Sequence, residues 1–106
     1  MKRGEVWWAY LAEPYGKRPV VLLSRNESYR IRNYVIAAVV TRTVRNIPVE
    51  VALGKEDGLS KKCVVNLDSI VTIHKDLLTE RIASLGQDKL RAINKAVIFS
   101  LGLAEL

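Results

Sequence analysis

The stretch YVIAAVVT, Tyr34–Thr41, carries the strongest strand signal in this sequence. Valine, isoleucine and threonine favour extended backbone, and here apolar residues occupy both sets of alternating positions. A strand of that kind needs cover on both faces, which a position inside a sheet provides. The sequence therefore predicts that Tyr34–Thr41 is a central strand.

Shorter strand-like segments lie on either side of this stretch. Each is rich in apolar or β-branched residues and is bounded by turn formers. Between them, a helical turn is predicted within Glu27–Asn33 and a polar loop over Gly54–Lys62. The predicted strands are Glu5–Leu11, Pro19–Ser24, Pro48–Leu53 with Glu50 facing outward, Cys63–Ile73 as one long bent strand or two short ones, and Glu80–Leu85.

The apolar spacing changes near the C-terminus. Leu90, Ile93, Val97 and Leu101 recur at intervals of three and four residues, which predicts an amphipathic helix over Asp88–Leu101. Gly102 is a natural stop for that helix. Short strands closed by one helix indicate a mainly β fold, a small and strongly curved barrel formed by a single domain, residues 1–106.

The charge of the chain is positive and uneven. Of the net +6, residues 1–50 contribute +5, from nine lysines and arginines against four acidic residues. Such a cationic field attracts polyanions, and nucleic acid is the first expectation. No apolar run is long enough for a membrane span, no signal peptide is recognisable, and the single cysteine cannot form an internal disulfide. We expect a soluble cytoplasmic protein without a bound metal.

Five segments, in chain order, resemble the MazF/PemK family of bacterial toxins. They are RGEVWWAYL, GKRPVVLLS, VVTRTVRNIPVEV, EDGLSKKCVVNLDSIVTI and the closing LGQDKLRAINKAVIFSLGL. The resemblance implies an SH3-like barrel of the MazF/CcdB toxin type. It also implies the toxin of a type II toxin–antitoxin system: a metal-independent, sequence-specific endoribonuclease that cuts single-stranded mRNA. A homodimer, an antitoxin whose acidic disordered tail covers the same basic groove, and no cofactor are further implications.

The resemblance also suggests catalytic residues. Arg18 matches the arginine of the family's Arg-Pro pair, Thr41 an active-site threonine, and Asp68 a catalytic carboxylate of some members. We expect Asp68 to act either as the general base or by orienting the 2′-OH. In metal-free cleavage the 2′-OH of RNA attacks the neighbouring phosphorus. A guanidinium can fork onto two phosphate oxygens, and a hydroxyl can donate one hydrogen bond. Arg18 and Thr41 suit these two tasks.

Further residues are expected to hold the RNA. Lys17, Arg42 and Arg45 can follow a single-stranded backbone. Asn66 stands where certain family members have an arginine, so an acid role is not expected there. The first loop, AEPYGK, lacks the family's frequent histidine, and Tyr10 replaces a frequent aspartate, so we expect a different cleavage sequence.

Three points stay open from the sequence. Trp7 and Trp8 point to opposite faces of one strand, so one is expected in the core while the other stacks on a base or packs an interface. The lone His74 is interpreted as a structural or surface residue. Two alternative functions remain: a gyrase-poisoning toxin of similar fold, and an RNA-binding barrel without catalysis.

Overall fold

The computed structural model describes residues 1–103, which form one curled antiparallel sheet of six strands with a helix packed on it. The strand order is β4-β5-β3-β2-β1-β6. The strands are β1 Glu5–Tyr10, β2 Lys17–Leu22, β3 Tyr34–Thr41, β4 Glu50–Leu53, β5 Cys63–His74 and β6 Leu78–Ser84. The α-helices are α1 Ser28–Ile31 and α2 Gln87–Ser100, and short 3₁₀ turns span Lys55–Asp57 and Lys75–Leu77. No helix in this part of the chain is long and apolar enough to cross a membrane.

The prediction of a central strand at Tyr34–Thr41 is confirmed. The strand β3 has these bounds and lies between β2 and β5. Alternate side chains of β3 pack into two cores, one on each face of the sheet. Ala38 and Val40 belong to a core closed by Ile93 of α2, whereas Val35 and Ala37 belong to a core that includes Tyr29 of α1. Burial on both faces explains the apolar run from Ala37 to Val40, whereas Tyr34 and Ile36 at the start of the strand are exposed.

The second core contains one polar group with a partner. The Tyr29 hydroxyl donates to the Ser24 carbonyl oxygen at 3.0 Å. Burial raises the pKa of Tyr29 to about 12, so the phenol keeps its proton and this hydrogen bond at any physiological pH. The hydrogen bond ties α1 to the end of β2 and keeps the second core closed.

Several predicted boundaries were wrong by one or two residues. β2 begins at Lys17 rather than Pro19, because Lys17 and Arg18 pair with Tyr10 and Ala9 of β1. It ends at Leu22, before Ser24. β4 begins only at Glu50, because a turn closed by the hydrogen bond from the Glu50 N–H to the Ile47 carbonyl precedes it. β6 starts earlier than predicted, at Leu78, and α2 spans Gln87–Ser100.

The strand β5 is one long strand with a bulge. Ala38 pairs with Ile70, but Val39 pairs with Asn66, so three residues of β5 lie opposite no residue of β3. Extra residues of this kind bend a strand and redirect side chains. In the bulge Leu67 is fully buried and Asp68 is exposed. The Ser100 hydroxyl lies 2.8 Å from the Leu67 carbonyl and 2.7 Å from Oδ1 of Asp68, which fixes the end of α2 to the bulge.

Candidate active site

The sheet opens between β2 and β3 at one end. The last residues paired across these strands are Val20 and Val39. Pro19 has no N–H with which to continue the ladder. If the register is extended by two residues, Arg18 lies opposite Thr41, across the opening. Two residues far apart in sequence thus lie on the two sides of one opening.

The Arg18 side chain is anchored at one nitrogen and open at the other two. Its Nε donates to the Tyr15 carbonyl oxygen at 2.9 Å, and the side chain is half-buried. Nη1 and Nη2 make no hydrogen bond within residues 1–103. The loop that supplies the carbonyl is closed by the hydrogen bond from the Leu11 N–H to the Gly16 carbonyl, and Gly16 has a φ of 65°, which favours glycine. The guanidinium is therefore oriented by backbone and can still bind an anion with two N–H groups.

Thr41 ends β3 on the other side of the opening. Its Oγ1 accepts a hydrogen bond from the Thr43 N–H at 3.2 Å. An accepted bond leaves the hydroxyl hydrogen of Thr41 available for donation. Arg18 and Thr41 both line two clefts, one on each face of the sheet.

The first cleft has a volume of about 510 Å³ and is strongly cationic. Four cationic side chains line it: Lys17, Arg18, Arg42 and Lys61. Among the described residues, no acidic side chain lines this cleft. Trp8 forms part of its wall, and Nζ of Lys17 lies 5.2 Å from the centre of the Trp8 ring. Cationic groups beside an aromatic face suit a phosphate and its base.

The loop before β5 brings Lys61 to this cleft. Gly58 has a φ of 93°, and a Cβ there would lie 2.8 Å from Cβ of Ala83 in β6. Only glycine lets the loop pass this close to β6. Cys63 follows on the wall of the cleft, where burial raises the pKa of its thiol, with a further rise from the nearby Asp57 carboxylate. The thiol stays protonated at neutral pH and is a poor nucleophile or base.

The second cleft, of about 330 Å³, lies on the opposite face and is lined by neutral polar groups and two arginines. Asn66 is only 9% exposed, and its Oδ1 accepts from the Asp68 N–H at 2.8 Å. The polar and charged residues on its wall are Tyr15, Arg18, Thr41, Thr43, Arg45, Asn66 and Ser69.

The structure brings six of the seven predicted site residues to these clefts and leaves one outside. Arg18, Thr41, Lys17 and Arg42 line the first cleft, and Arg45 and Asn66 line the second. Asp68 lines neither, because the bulge of β5 turns its carboxylate toward Ser100 at the end of α2. The interpretation of Asp68 as a general base beside Arg18 therefore finds no geometric support.

The sequence reasoning missed several lining residues, among them Tyr15, Lys61, Thr43 and Ser69. Lys61 carried a signal, since two consecutive lysines precede a buried strand. The Tyr15 carbonyl carried none, because any residue type supplies a carbonyl oxygen.

The two tryptophans have different environments. Trp7 packs against the second core, and its Nε1 donates to Oε1 of Glu5 at 3.0 Å. Burial would raise the pKa of the Glu5 carboxyl, but hydrogen bonds from Trp7 and the Lys2 N–H, with the positive N-terminus and Arg81, hold it below its ordinary value. Since Trp7 packs against the second core and is hydrogen-bonded to Glu5, Trp8 is the tryptophan available to a ligand.

His74 and the acidic residues form no second site. His74 stacks edge-on against Tyr34 at 5.2 Å, and its Nδ1 accepts from the Asp76 N–H at 3.1 Å. Residues 1–103 hold no group of three His, Cys, Asp or Glu side chains placed to bind one metal ion.

Comparison with known proteins gives a consistent relationship. Residues 2–101 match the family described as PemK-like, MazF-like toxin of type II toxin–antitoxin system. The chain is 38% identical over 96 residues to a probable endoribonuclease MazF5 of Mycobacterium tuberculosis, covering 90% of this chain and 87% of that protein. It is 33% identical to the endoribonuclease MazF of Staphylococcus saprophyticus, covering 97% and 92%.

Solved structures show the same similarity. A mycobacterial endoribonuclease in complex with its cognate antitoxin superimposes with a TM-score of 0.86 at 34% identity, covering 97% of this chain and 96% of that one. The Mycobacterium tuberculosis toxin MazF-mt6 has a TM-score of 0.86 at 28% identity, covering 92% and 96%. The ordered sequence match over nearly the whole chain and the shared curled sheet lead to one conclusion: the chain belongs to the PemK/MazF family of type II toxin–antitoxin toxins.

Proposed function

We propose that this toxin endoribonuclease cuts single-stranded RNA at the opening between β2 and β3, with the scissile phosphate held by Arg18 and Thr41. The observation that carries the proposal is the register of β2 and β3, which sets these two side chains opposite each other where both clefts meet. An anchored guanidinium and a hydroxyl on opposite sides of one opening can contact different oxygens of one phosphate.

The reaction that fits this arrangement is attack by the substrate's own 2′-OH. Its oxygen bonds to the adjacent phosphorus and loses its proton, while the 5′-oxygen leaves and gains one. The products carry a 2′,3′-cyclic phosphate and a 5′-OH. The path from substrate to products passes through a crowded phosphorane that carries more negative charge than the starting phosphodiester. Donors fixed in advance around that charge lower the barrier without reorganising during the reaction.

Arg18 is suited to this stabilisation. Its Nε is held by the Tyr15 carbonyl, so Nη1 and Nη2 present a fixed fork. Thr41 adds one donor from the opposite strand. Permanent cations, rather than carboxylates that would bind a divalent ion, line the first cleft, and this favours metal-independent chemistry.

The RNA backbone is held by the remaining cations of the first cleft, Lys17, Arg42 and Lys61. Lys17 also lies over the rings of Trp8 and Tyr10, at 5.2 and 5.6 Å from their centres. A base stacked on Trp8 would compete with or extend this contact, and stacking accepts any base.

The proposal includes partners and location. The mycobacterial neighbour in complex with its cognate antitoxin supports a cognate antitoxin for this chain, and an acidic disordered tail complements the cationic cleft. A homodimer is supported by exposed apolar side chains near the end of α2: Ile98, Phe99, Leu101 and Leu103. Residues 1–106 are proposed to act as one cytoplasmic domain, because the substrate is mRNA.

The test is incubation of the purified chain with single-stranded RNA in EDTA, followed by end-group analysis. Cyclic phosphate ends are expected. RNA retention without cleavage would instead support a non-catalytic RNA-binding barrel, and inhibition of gyrase without cleavage would support a gyrase poison. The relatives described above give the gyrase alternative no support, since those with a stated activity are endoribonucleases.

A further inference from the structure

Apart from Arg18 and Thr41, the second cleft is lined by polar residues that the proposed cleavage step does not use. It shares Arg18, Thr41 and Tyr15 with the first cleft, but its other walls lie on the opposite face of the sheet. Its volume of about 330 Å³ is at the small end of the range for ligand pockets, which begins near 300 Å³. This size suits one nucleotide rather than a longer segment.

Asn66 presents a fixed hydrogen-bond donor to this cleft. Its Oδ1 is occupied by the Asp68 N–H, so the amide cannot rotate without losing that bond. Nδ2 makes no hydrogen bond within residues 1–103, yet no fully buried side-chain nitrogen in this range lacks a partner. Nδ2 must therefore reach solvent, and the cleft that Asn66 lines is its route. A side chain nine-tenths buried thus offers an unused N–H group to whatever enters.

The two charged side chains around Asn66 are hydrogen-bond donors, as its Nδ2 is. Arg18 and Arg45 are donors only, whereas the hydroxyl residues of the wall, Tyr15, Thr41, Thr43 and Ser69, can donate or accept. The cleft as a whole therefore offers more donors than acceptors. A base edge rich in acceptors fits it, and a base that places an amino group there meets Nδ2 donor against donor.

We propose that Asn66 reads the base next to the scissile phosphate and selects a keto base, uracil or guanine, through its exposed carbonyl oxygen. This inference rests on the proposed function. A phosphate held between Arg18 and Thr41 leaves one neighbouring nucleotide on each face of the sheet. The base on the Trp8 side is held by stacking, which discriminates little, whereas the base on the Asn66 side is held by hydrogen bonds. Sequence preference therefore resides mainly in the second cleft.

The wild-type chain provides the first test. Cleavage sites are mapped on an RNA pool of random sequence, and the best substrate is then resynthesised with a base analogue that lacks the keto oxygen at each flanking position. Uracil is replaced by pyrimidin-2-one, which lacks O4 and the N3–H, and guanine by 2-aminopurine, which lacks O6 and the N1–H. At one flanking position kcat/KM is expected to fall about 5- to 150-fold, the range of one good base contact. At the other position the change is expected to stay below about threefold, since stacking does not read one oxygen.

A variant provides the second test. Asn66→Asp keeps the size of the side chain and an oxygen for the Asp68 N–H, but it turns an acceptor toward the base. Random-pool cleavage by Asn66→Asp should shift from keto bases toward cytosine or adenine at the same position. Asn33 is an exposed asparagine just before β3; Asn33→Asp adds the same charge away from both clefts and should keep the wild-type preference.

The outcomes distinguish a failure of base reading by Asn66 from a failure of the proposed function. If the wild-type chain cuts no RNA at all, the proposed function fails, and the inference fails with it. If the chain cuts RNA but tolerates both analogues at both flanking positions, or favours amino bases there, only the reading by Asn66 is overturned. Should Asn66→Asp not fold, the analogue series with the wild-type chain decides alone.

Discussion

Replacing Arg18 should lower the cleavage rate far more than it weakens RNA binding. Arg18→Ala removes the two free nitrogens Nη1 and Nη2 and a permanent charge from the position where the phosphorane forms. Loss of one preorganised donor to an oxyanion costs about 2.7–4 kcal/mol, and this donor is also charged, so we expect about 3–5 kcal/mol. That corresponds to a fall of about a hundred- to several-thousand-fold in the rate of the chemical step.

The fixed geometry of Arg18 sharpens this prediction. Because Nε is bound to the Tyr15 carbonyl, the two remaining nitrogens have a defined direction. Arg18→Lys keeps the charge but offers no fork and no equivalent of the Nε anchor. Its cleavage rate should therefore also fall strongly, although its affinity for RNA stays close to that of the wild type.

The assay is single-turnover cleavage of a short RNA, measured beside binding of the same sequence with a 2′-deoxy group at the cleaved position. The analogue cannot react, so its dissociation constant reports binding alone. Lys17→Ala is the matched control. Loss of this exposed lysine, one residue away, should lower the affinity for RNA with little effect on the saturated rate. If Arg18→Ala cuts at the wild-type rate while Lys17→Ala does not, the phosphate is held by Lys17, and the assignment of Arg18 is refuted. Circular dichroism of both variants checks that they fold.

The remaining predictions concern the same site and the fold. Thr41→Ala should slow cleavage about 10- to 150-fold, the effect of losing about 1.5–3 kcal/mol from one hydrogen bond to a charged oxygen, whereas Thr41→Ser should keep most of the single-turnover rate. Asp68→Asn should leave the pH–rate profile unchanged, because the carboxylate contacts Ser100 outside both clefts; the loss of the rise in rate with pH on the acidic side would restore Asp68 as general base. RNA affinity should fall with a log–log salt slope of about −0.7 per phosphate contacted, and Lys17→Ala should make that slope shallower by about 0.7. Glu5→Gln should lower the free energy of unfolding, measured in urea, at pH 7 but not well below pH 4. The pKa of this carboxyl is lowered in the folded state, so the carboxylate contributes stability above its unfolded pKa. That contribution is lost as the pH falls through the folded pKa.

Strand and helix identities were predictable from the sequence because the core imposes the apolar pattern. Tyr34–Thr41 matched β3 at both ends, and the helix at Asp88–Leu101 was displaced by one residue from α2. Boundaries were less predictable where pairing, not composition, decides them. Lys17 and Arg18 are cationic and precede a proline, yet they belong to β2 because β1 pairs with them.

The site was predictable in part. Resemblance placed Arg18 and Thr41 in one site, and the register of β2 and β3 brings them together. The position of Asp68 was not predictable, because it depends on a bulge of three residues that changes which way the side chain points. Side-chain direction in a strand alternates with a period of two, so an irregular register cannot be read from spacing. The contact between the Tyr15 carbonyl and Arg18 was not predictable for another reason. A backbone carbonyl makes it, so the residue type carries no information about it.

The location of the site follows from how the sheet is built. A closed ladder between β2 and β3 would satisfy every backbone group and leave no space for a substrate. Pro19 ends the ladder on the β3 side because it has no N–H, although β2 continues along β1 for two more residues. The strand stays rigid on one side while it is open on the other, so Arg18 is held firmly at the rim of a gap. Since residues on the two sides of the gap alternate between faces, a single opening connects a cationic aromatic cleft with a polar one. Chemistry can then occur at the rim while each face binds a different part of the RNA, and substitutions on one face can change base preference without altering the group that stabilises the phosphate.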